Sequence, residues 1–191
     1  RIFRIYKSYG LNHVRFHSWC PPEAAFTAAD RIGIYIQAEV LWIDWWMSVV
    51  RKERPEMTTR GLPKGLGHNP SADKFVPEEL QRMIEAYGNH PSFTMLCIGN
   101  ELGNSNFDIM QQWIKSLQEK DPRRLYAIST ARKIMPADQY MVTHNIPQTG
   151  GTYGINGSGT DNDRESIYSK ATIPVLAHEV GQYPVYPLWN E

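Results

Sequence analysis

The sequence predicts an α/β fold built around a parallel sheet, and two observations carry that prediction. Six short apolar runs rich in Val, Ile and Tyr are expected to form strands; they cover 13–17, 34–41, 93–99, 125–129, 140–144 and 173–179. Most of the stretches between them carry apolar residues at helical spacing. Strands that are apolar on both faces are typical of parallel sheets, and repeated strand–helix units imply right-handed crossovers.

Helices are predicted in four of the intervening stretches, over 22–30, 77–87, 106–120 and 163–170. Pro77 is expected in the first turn of the second helix, where the missing N–H of proline breaks no hydrogen bond. Gly33 and Gly88 are expected to end the first two helices. The segment 43–75 breaks the alternation, and we expect it to be a long excursion after a strand.

The composition of the chain favours a single packed domain and excludes several kinds of partner. Of the 191 residues 41% are hydrophobic, which supports one sizeable core. Lys plus Arg is 20 and Asp plus Glu is 20, so no net charge draws the chain to nucleic acid or to an acidic membrane. No run of apolar residues is long enough to span a membrane. The two cysteines lack CxxC spacing, so we predict reduced thiols and neither a metal nor a cofactor.

Polar side chains with catalytic potential follow the ends of most predicted strands. In a (β/α)8 barrel the carboxyl ends of the strands form one rim, and the catalytic groups lie there. The first strand presents its candidates at alternate positions, which would place them on one face. In strand order the candidates are Arg15, His17 and Trp19; Glu39; Asn100 and Glu101; His144 and Asn145; and Glu179.

Glu101 and Glu179 are the two candidates that suggest a reaction. Each follows an apolar run, and two carboxyl groups facing one cleft are the minimal apparatus for cleaving a glycosidic bond. One must be protonated to assist the leaving group and the other ionised, which Arg15 could ensure. Two structural alternatives stay open: Glu101 as a paired buried anion, and Arg15 with His17 as part of an ion pair. Glu39 is interpreted as a structural or supporting group, with a third carboxylate of the pocket as the alternative.

Other enzyme classes fit the sequence poorly. A Ser-His-Asp hydrolase of the α/β type would carry a G-x-S-x-G elbow, and a dinucleotide-binding domain would carry G-x-G-x-x-G after its first strand; neither pattern is present. The tryptophans, Trp19 among them, suit stacking on sugar rings, but they serve equally well as core residues.

Four segments resemble glycoside hydrolase family 2, the family of β-galactosidases, β-glucuronidases and β-mannosidases. The most specific is "NHPSFTMLCIGNELG", which is similar to the family's N-H-P-S … G-N-E segment. The others, in the family's order, are "GLNHVRFHSWCPPEAAFTAADRIGIYIQAE", "DPRRLYAIST" and "IPVLAHEVGQYPVYP". The resemblance implies a (β/α)8 barrel and an exo-acting β-glycosidase that retains anomeric configuration.

The resemblance also implies roles for single residues. Glu101 would be the acid/base, Glu179 the nucleophile, Asn100 a ligand of the sugar 2-hydroxyl, and Arg15 a neighbour of the nucleophile. His17 stands in a run that departs from the family's R-T-S-H-Y-P, so its role is left open. His144 and Asn145 are candidates for lining the sugar site.

Six predicted strands rather than eight indicate an incomplete barrel. We expect residues 1–191 to form one catalytic barrel domain truncated at both ends, with about strands two to seven present. The family's β-sandwich domains and the other strands would belong to a longer chain. The expected partner is an oligosaccharide or polysaccharide-derived glycoside, and the missing N-x-K pattern disfavours glucuronides. The alternatives are a carbohydrate-binding barrel without catalysis and an inactive fragment.

Overall fold

Strands and helices alternate along the chain in a computed structural model, which describes residues 1–40, 64–130, 132–143 and 171–177. The elements, in chain order, are α1 (Ile2–Ser8), β1 (His13–Arg15), α2 (Glu23–Ile32), β2 (Tyr35–Glu39), α3 (Pro70–Tyr87), β3 (Phe93–Asn100), α4 (Phe107–Lys120), β4 (Leu125–Thr130), β5 (Met141–Thr143) and β6 (Val175–Ala177). None of the helices within these ranges is long and apolar enough to cross a membrane.

The described strands are parallel to their neighbours and fall into two sheets. The first has the order β1-β2-β3-β4, and the second pairs β5 with β6. The backbone N–H of Gln139 donates to the carbonyl of Tyr126, and this bond connects β4, the last strand of the first sheet, to the segment that leads into β5. Parallel pairing brings the carboxyl ends of β1 to β4 to one edge, as a barrel requires.

The core lies mainly between the sheet and its helices. Alternate strand residues such as Ile36, Leu96 and Ile128 are fully buried in one cluster with Phe26 and Ile114 of the helices. The opposite face of the sheet carries a smaller cluster, formed by Cys97, Ala127, Tyr140 and Val142. A large apolar layer under the helices and a smaller, more polar layer inside are what a segment of barrel wall should show.

Two of the predicted helices have the expected ends. α2 is followed by Gly33, whose φ of +74° lies in the left-handed region that glycine adopts without steric cost. α4 begins after Asn106, whose side chain accepts hydrogen bonds from the N–H groups of Asp108 and Ile109. The predicted strands are confirmed as elements; β1 ends at Arg15 rather than at 17, and β6 begins at Val175 rather than at 173, while its predicted last residues lie outside the described ranges.

The predicted start of α3 at Pro77 is wrong. The helix begins at Pro70, after Asn69, whose side chain caps it by accepting from Ala72 N. Pro77 lies inside the helix. Asn69-Pro70 is itself a start signal, a capping residue followed by proline, and the expectation of a long excursion over 43–75 concealed it. The helix predicted at 163–170 lies outside the described residues.

Candidate active site

The carboxyl ends of β1, β2, β3 and β4 bring four polar side chains together. Arg15 ends β1, Glu39 ends β2, Asn100 ends β3 and Thr130 ends β4. The register places Asn100 beside Thr130, so β3 and β4 end level, whereas Glu39 pairs with Cys97, three residues before the end of β3. We call Arg15, Glu39, Asn100 and Thr130 the rim cluster.

Arg15 is the centre of the rim cluster. Its Nε lies 2.5 Å from Oε1 of Glu39, and its Nη2 lies 3.3 Å from Oε2. Glu39 has no exposed side-chain surface, and Gln37 also donates to its Oε1 at 2.8 Å. A buried carboxylate needs a cation and hydrogen bonds to offset its lost hydration. The ion pair that the sequence left open for Arg15 is therefore made with Glu39, which agrees with the structural interpretation of that residue.

Arg15 also reaches the next two strands. Its Nη2 donates to Oδ1 of Asn100 at 2.8 Å and to Oγ1 of Thr130 at 3.3 Å. Thr130 in turn donates to the same Oδ1 at 2.6 Å. Asn100 and Thr130 are both buried, at 4% and 0% exposure. One guanidinium thus links three strand ends, and its position fixes that of Asn100.

Glu101 follows β3 directly and has an unusual backbone. Its φ is +54°, a region that residues with a Cβ rarely adopt, and such strain concentrates at functional sites. Its N–H donates to the carbonyl of Thr130 at 3.2 Å, and its carbonyl accepts from Gly103 at 2.7 Å. These bonds hold the backbone turn that carries the Glu101 side chain out of the line of the strand.

The side chain of Glu101 contacts a cation on the loop after β4. Oε1 lies 3.4 Å from Nη1 of Arg132, and 14% of the Glu101 side chain is exposed. Arg132 packs against Gly103, where a Cβ would come within 2.9 Å of its Nε. Gly103 therefore leaves room for Arg132 beside Glu101. The carboxylate has a charged partner and still contacts solvent, so a ligand at this edge of the sheet could reach it.

His17 and Trp19 do not continue β1, which ends at Arg15, so the predicted alternation on one face is wrong. The chain bends, and Trp19 packs edge-on against Phe16 with ring centroids 5.2 Å apart. His17 stays beside the cluster, with Nδ1 3.1 Å from Nη2 of Arg15 and 3.0 Å from Oγ of Ser18. Because arginine only donates, Nδ1 of His17 accepts in this contact.

Trp19 lies close to the rim. Its carbonyl accepts a hydrogen bond from the backbone N–H of Glu39 at 3.3 Å, and 43% of the residue is exposed. An exposed indole beside a polar cluster offers a flat apolar face to a ligand.

Buried titratable groups near the rim cluster are held neutral. Burial, and then the charge of Arg15, lowers the pKa of His13 to about 4. Burial raises the pKa of the Cys97 thiol and of the Tyr140 hydroxyl well above their usual ranges. These groups therefore add no charge around Arg15 and Glu39 at neutral pH. Cys20 and Cys97 are both free, which confirms the prediction of reduced thiols.

Three sequence-predicted site residues, Glu179, His144 and Asn145, lie outside the described residues. The strands that lead to them are present, since β5 ends at Thr143 and β6 at Ala177. Within the described ranges, no group of three or more His, Cys, Asp or Glu side chains is placed to hold a metal ion.

The sequence interpretation missed Thr130 and Arg132. The fourth strand was predicted to end at 129, so its polar end was not compared with the others. Ser129-Thr130 after an apolar run is the same signal that identified Asn100 and Glu101. Arg132 belongs to a loop, and nothing in its neighbourhood along the chain marks it as a partner of Glu101.

Parallel strands, intervening helices and a polar cluster at the carboxyl ends define a segment of a (β/α)8 barrel wall. The family model described as "Glycosyl hydrolases family 2, TIM barrel domain" matches residues 2–169. The chain belongs to that family. Both the barrel fold and the family resemblance predicted from the sequence are thereby confirmed.

Individual relatives agree with this assignment. A β-galactosidase of Leuconostoc mesenteroides subsp. mesenteroides is 27% identical over 123 residues, which cover 62% of this chain and 10% of that protein. The crystal structure of a Parabacteroides merdae β-glucuronidase aligns with a TM-score of 0.55 and 21% identity, over 76% of this chain and 17% of that one. The crystal structure of an FMN-binding β-glucuronidase from Facaelibacterium prausnitzii L2-6 aligns with a TM-score of 0.56 and 21% identity, over 75% of this chain and 21% of that one.

These figures fix how far the likeness reaches. At 21% identity the two structures show a shared fold. The chain spans a tenth of the length of the curated β-galactosidase and about a fifth of each solved chain.

Proposed function

We propose that this chain forms part of the catalytic barrel of an exo-acting, retaining β-glycosidase, with Glu101 as acid/base and Glu179 as nucleophile. The observation that carries the proposal is the position of Glu101. It directly follows Asn100 at the rim, on a strained turn that is hydrogen-bonded to the end of β4. Membership of glycosyl hydrolases family 2 and the β-galactosidase relative support glycoside chemistry.

The reaction would proceed in two steps that share the same carboxyl groups. Glu179 attacks the anomeric carbon while protonated Glu101 gives its proton to the departing glycosidic oxygen, and a glycosyl ester forms on Glu179. Glu101, now a carboxylate, then takes a proton from water, which attacks the anomeric carbon and releases Glu179. This course requires the carboxyl groups to be about 5–5.5 Å apart.

The remaining rim residues would bind the sugar. Asn100 is held by Arg15 at the carboxyl ends of the strands, and Arg15 carries a charge that Glu39 already balances. Trp19 would stack on a sugar ring, and His17 would contact a hydroxyl beside Arg15. His144 and Asn145 would line the side of the cleft that follows β5.

The test is the variant Glu101→Gln in the full-length protein that contains this chain, assayed with aryl β-glycosides. Glutamine cannot supply a proton, so the rate on substrates with poor leaving groups should fall by about 10²–10⁴-fold. Substrates with a dinitrophenyl leaving group need little acid assistance, and the rate of their first step should fall far less.

If the rate falls equally on substrates with good and with poor leaving groups, Glu101 is not the acid/base. If the unmodified protein binds glycosides but does not cleave them, the proposed catalytic function is wrong and a carbohydrate-binding function takes its place. Lys133→Gln, next to Arg132 in the same loop, is the matched control for a change of this surface, and it should behave like the unmodified protein.

A further inference from the structure

The side-chain amide of Asn100 can adopt only one orientation in the rim cluster. Its Oδ1 lies 2.8 Å from Nη2 of Arg15, and a guanidinium has donors and no acceptor. The atom of Asn100 that faces Arg15 must therefore be the oxygen. If the amide were turned over, two N–H donors would face each other at the same distance.

Thr130 adds a second constraint on the same oxygen. Its hydroxyl lies 3.3 Å from Nη2 of Arg15 and 2.6 Å from Oδ1 of Asn100. Because the guanidinium donates to Oγ1, the hydroxyl proton is directed to Asn100. The bonds thus run in one direction, from Arg15 through Thr130 to Asn100, and Thr130 is fully buried where water cannot replace it.

Both hydrogen bonds use Oδ1, and among the described residues none accepts from Nδ2, so its two N–H donors can serve another acceptor. We propose that Thr130 is a positioning residue, which together with Arg15 fixes the amide of Asn100 so that Nδ2 donates to a hydroxyl oxygen of the bound sugar. This inference rests on the proposed function. The family resemblance implies that this acceptor is the 2-hydroxyl, on the carbon next to the anomeric centre; the part assigned here is the role of Thr130.

The test compares Thr130→Val with Thr130→Ser in the full-length protein, on two substrates. Valine keeps the shape of threonine but loses the hydroxyl, and serine keeps the hydroxyl. The probes are the 4-nitrophenyl β-glycoside that the protein cleaves best and its 2-deoxy counterpart, which lacks the proposed acceptor. For Thr130→Val we expect kcat/KM to fall about five- to tenfold on the first and by less than about twofold on the second.

Thr94→Val is the matched control on the neighbouring strand. The hydroxyl of Thr94 is buried in β3 without a hydrogen-bond partner, so its removal breaks nothing. This variant should equal the unmodified protein on both glycosides. Thr130→Ser should keep most of the activity on the 2-hydroxy glycoside.

The outcomes separate this inference from the proposed function. An equal loss on both glycosides for Thr130→Val, or no loss on either, overturns the positioning role. If Glu101→Gln loses acid assistance as expected while Thr130→Val fails this test, only the positioning role is wrong. If Glu101→Gln loses nothing, the proposed function itself fails.

Discussion

The amino ends and the carboxyl ends of the parallel strands both carry buried charged groups, but these groups serve different purposes. We call the two regions the amino edge and the carboxyl edge of the sheet. At the amino edge, where β3 and β4 begin, Asp30, Asp121 and Arg124 are engaged with other parts of the chain. At the carboxyl edge, the rim cluster also contains a buried ion pair, but the N–H donors of Asn100 are not used within it, and the neighbouring carboxylate of Glu101 is partly exposed beside its partner Arg132. Charge burial by itself therefore does not mark a functional site; polar groups that a ligand can still reach do.

The charged groups of the amino edge are bonded mainly to other parts of the chain, although Nε of Arg124 is buried without a hydrogen-bond partner in the part of the chain that the structure describes. Asp30 of α2 accepts from the backbone of Ser92 at 2.9 Å through one oxygen and lies 2.6 Å from Nδ1 of His90 through the other. Arg124, whose side chain is 1% exposed, donates to Asp121 and to the carbonyls of Gly88 and Phe93. These contacts fasten the ends of α2, α3 and α4 to the beginnings of the strands.

This comparison divides the most specific motif of the sequence into two halves. In "NHPSFTMLCIGNELG" the first half, with His90 and Ser92, binds Asp30 and holds the start of β3. The second half, with Asn100 and Glu101, lies at the opposite end of the same strand. A single eight-residue strand, Phe93–Asn100, thus connects a structural anchor to the candidate site.

The largest expected effects come from matched replacements of the two buried arginines. Arg15→Met leaves the buried carboxylate of Glu39 without its guanidinium and should lower the free energy of unfolding by about 3–5 kcal/mol. Arg124→Met leaves the carbonyls of Gly88 and Phe93 without their donor, while Asp121 keeps Arg123, and should lower it by about 1–3 kcal/mol. Activity per folded molecule should separate them. Arg15→Met frees the amide of Asn100 and should lose most turnover, whereas Arg124→Met should keep it.

Urea unfolding of the full-length protein and kcat/KM measured at a temperature where each variant is folded would check this pair. Arg123→Met is the control at the amino edge, because that side chain is 57% exposed and solvent screens its pairing with Asp121. If Arg124→Met loses turnover as Arg15→Met does, the division between the two edges is wrong.

A smaller effect is expected from pH at the amino edge. Burial alone would raise the pKa of Asp30, but hydrogen bonds from Ser92 and His90 outweigh it and lower the pKa below its usual value of 3.8. A carboxyl group with a lowered pKa stabilises the fold above its unfolded-state value, and that contribution is lost as the pH falls through the folded-state value. Stability should therefore decline below about pH 4, and Asp30→Asn should flatten that decline.

Asp138 supplies the control of opposite sign. Burial raises its pKa to about 6, despite hydrogen bonds from the backbone of Met135 and Ile128. Its contribution is present below its unfolded-state value and is lost as the pH rises toward about 6. Thermal unfolding between pH 3 and 7 measures both slopes. An acid decline that is unchanged in Asp30→Asn would show that Asp30 is not its source.

The order of the elements could be predicted from the sequence because it depends on local pattern. Apolar runs and helical spacing identified every strand now described, and Gly33 and Gly88 were correct helix ends. The start of α3 was missed because Pro77-Glu78-Glu79 imitates a first turn, while Asn69-Pro70 lay in a stretch interpreted as loop. Tertiary contacts decide between two such signals.

The sequence could predict which residues of the site lie at strand ends, but it could not predict the contacts between them. Arg15, Glu39, Asn100 and Glu101 were identified because each ends or follows an apolar run. Their bonds to one another depend on register and side-chain direction across strands, which no local pattern contains. The same holds for Arg132, which meets Glu101 from a loop 31 residues further on because Gly103 leaves it space.

The most direct test of the account is to trap the glycosyl intermediate on the full-length protein. A 2-deoxy-2-fluoro β-glycoside with a dinitrophenyl leaving group slows release more than formation, so the sugar ester accumulates and can be located by peptide mass spectrometry. The account predicts that the sugar is attached to Glu179. Attachment to Glu101 or Glu39, or inversion of configuration with no ester formed, would contradict it.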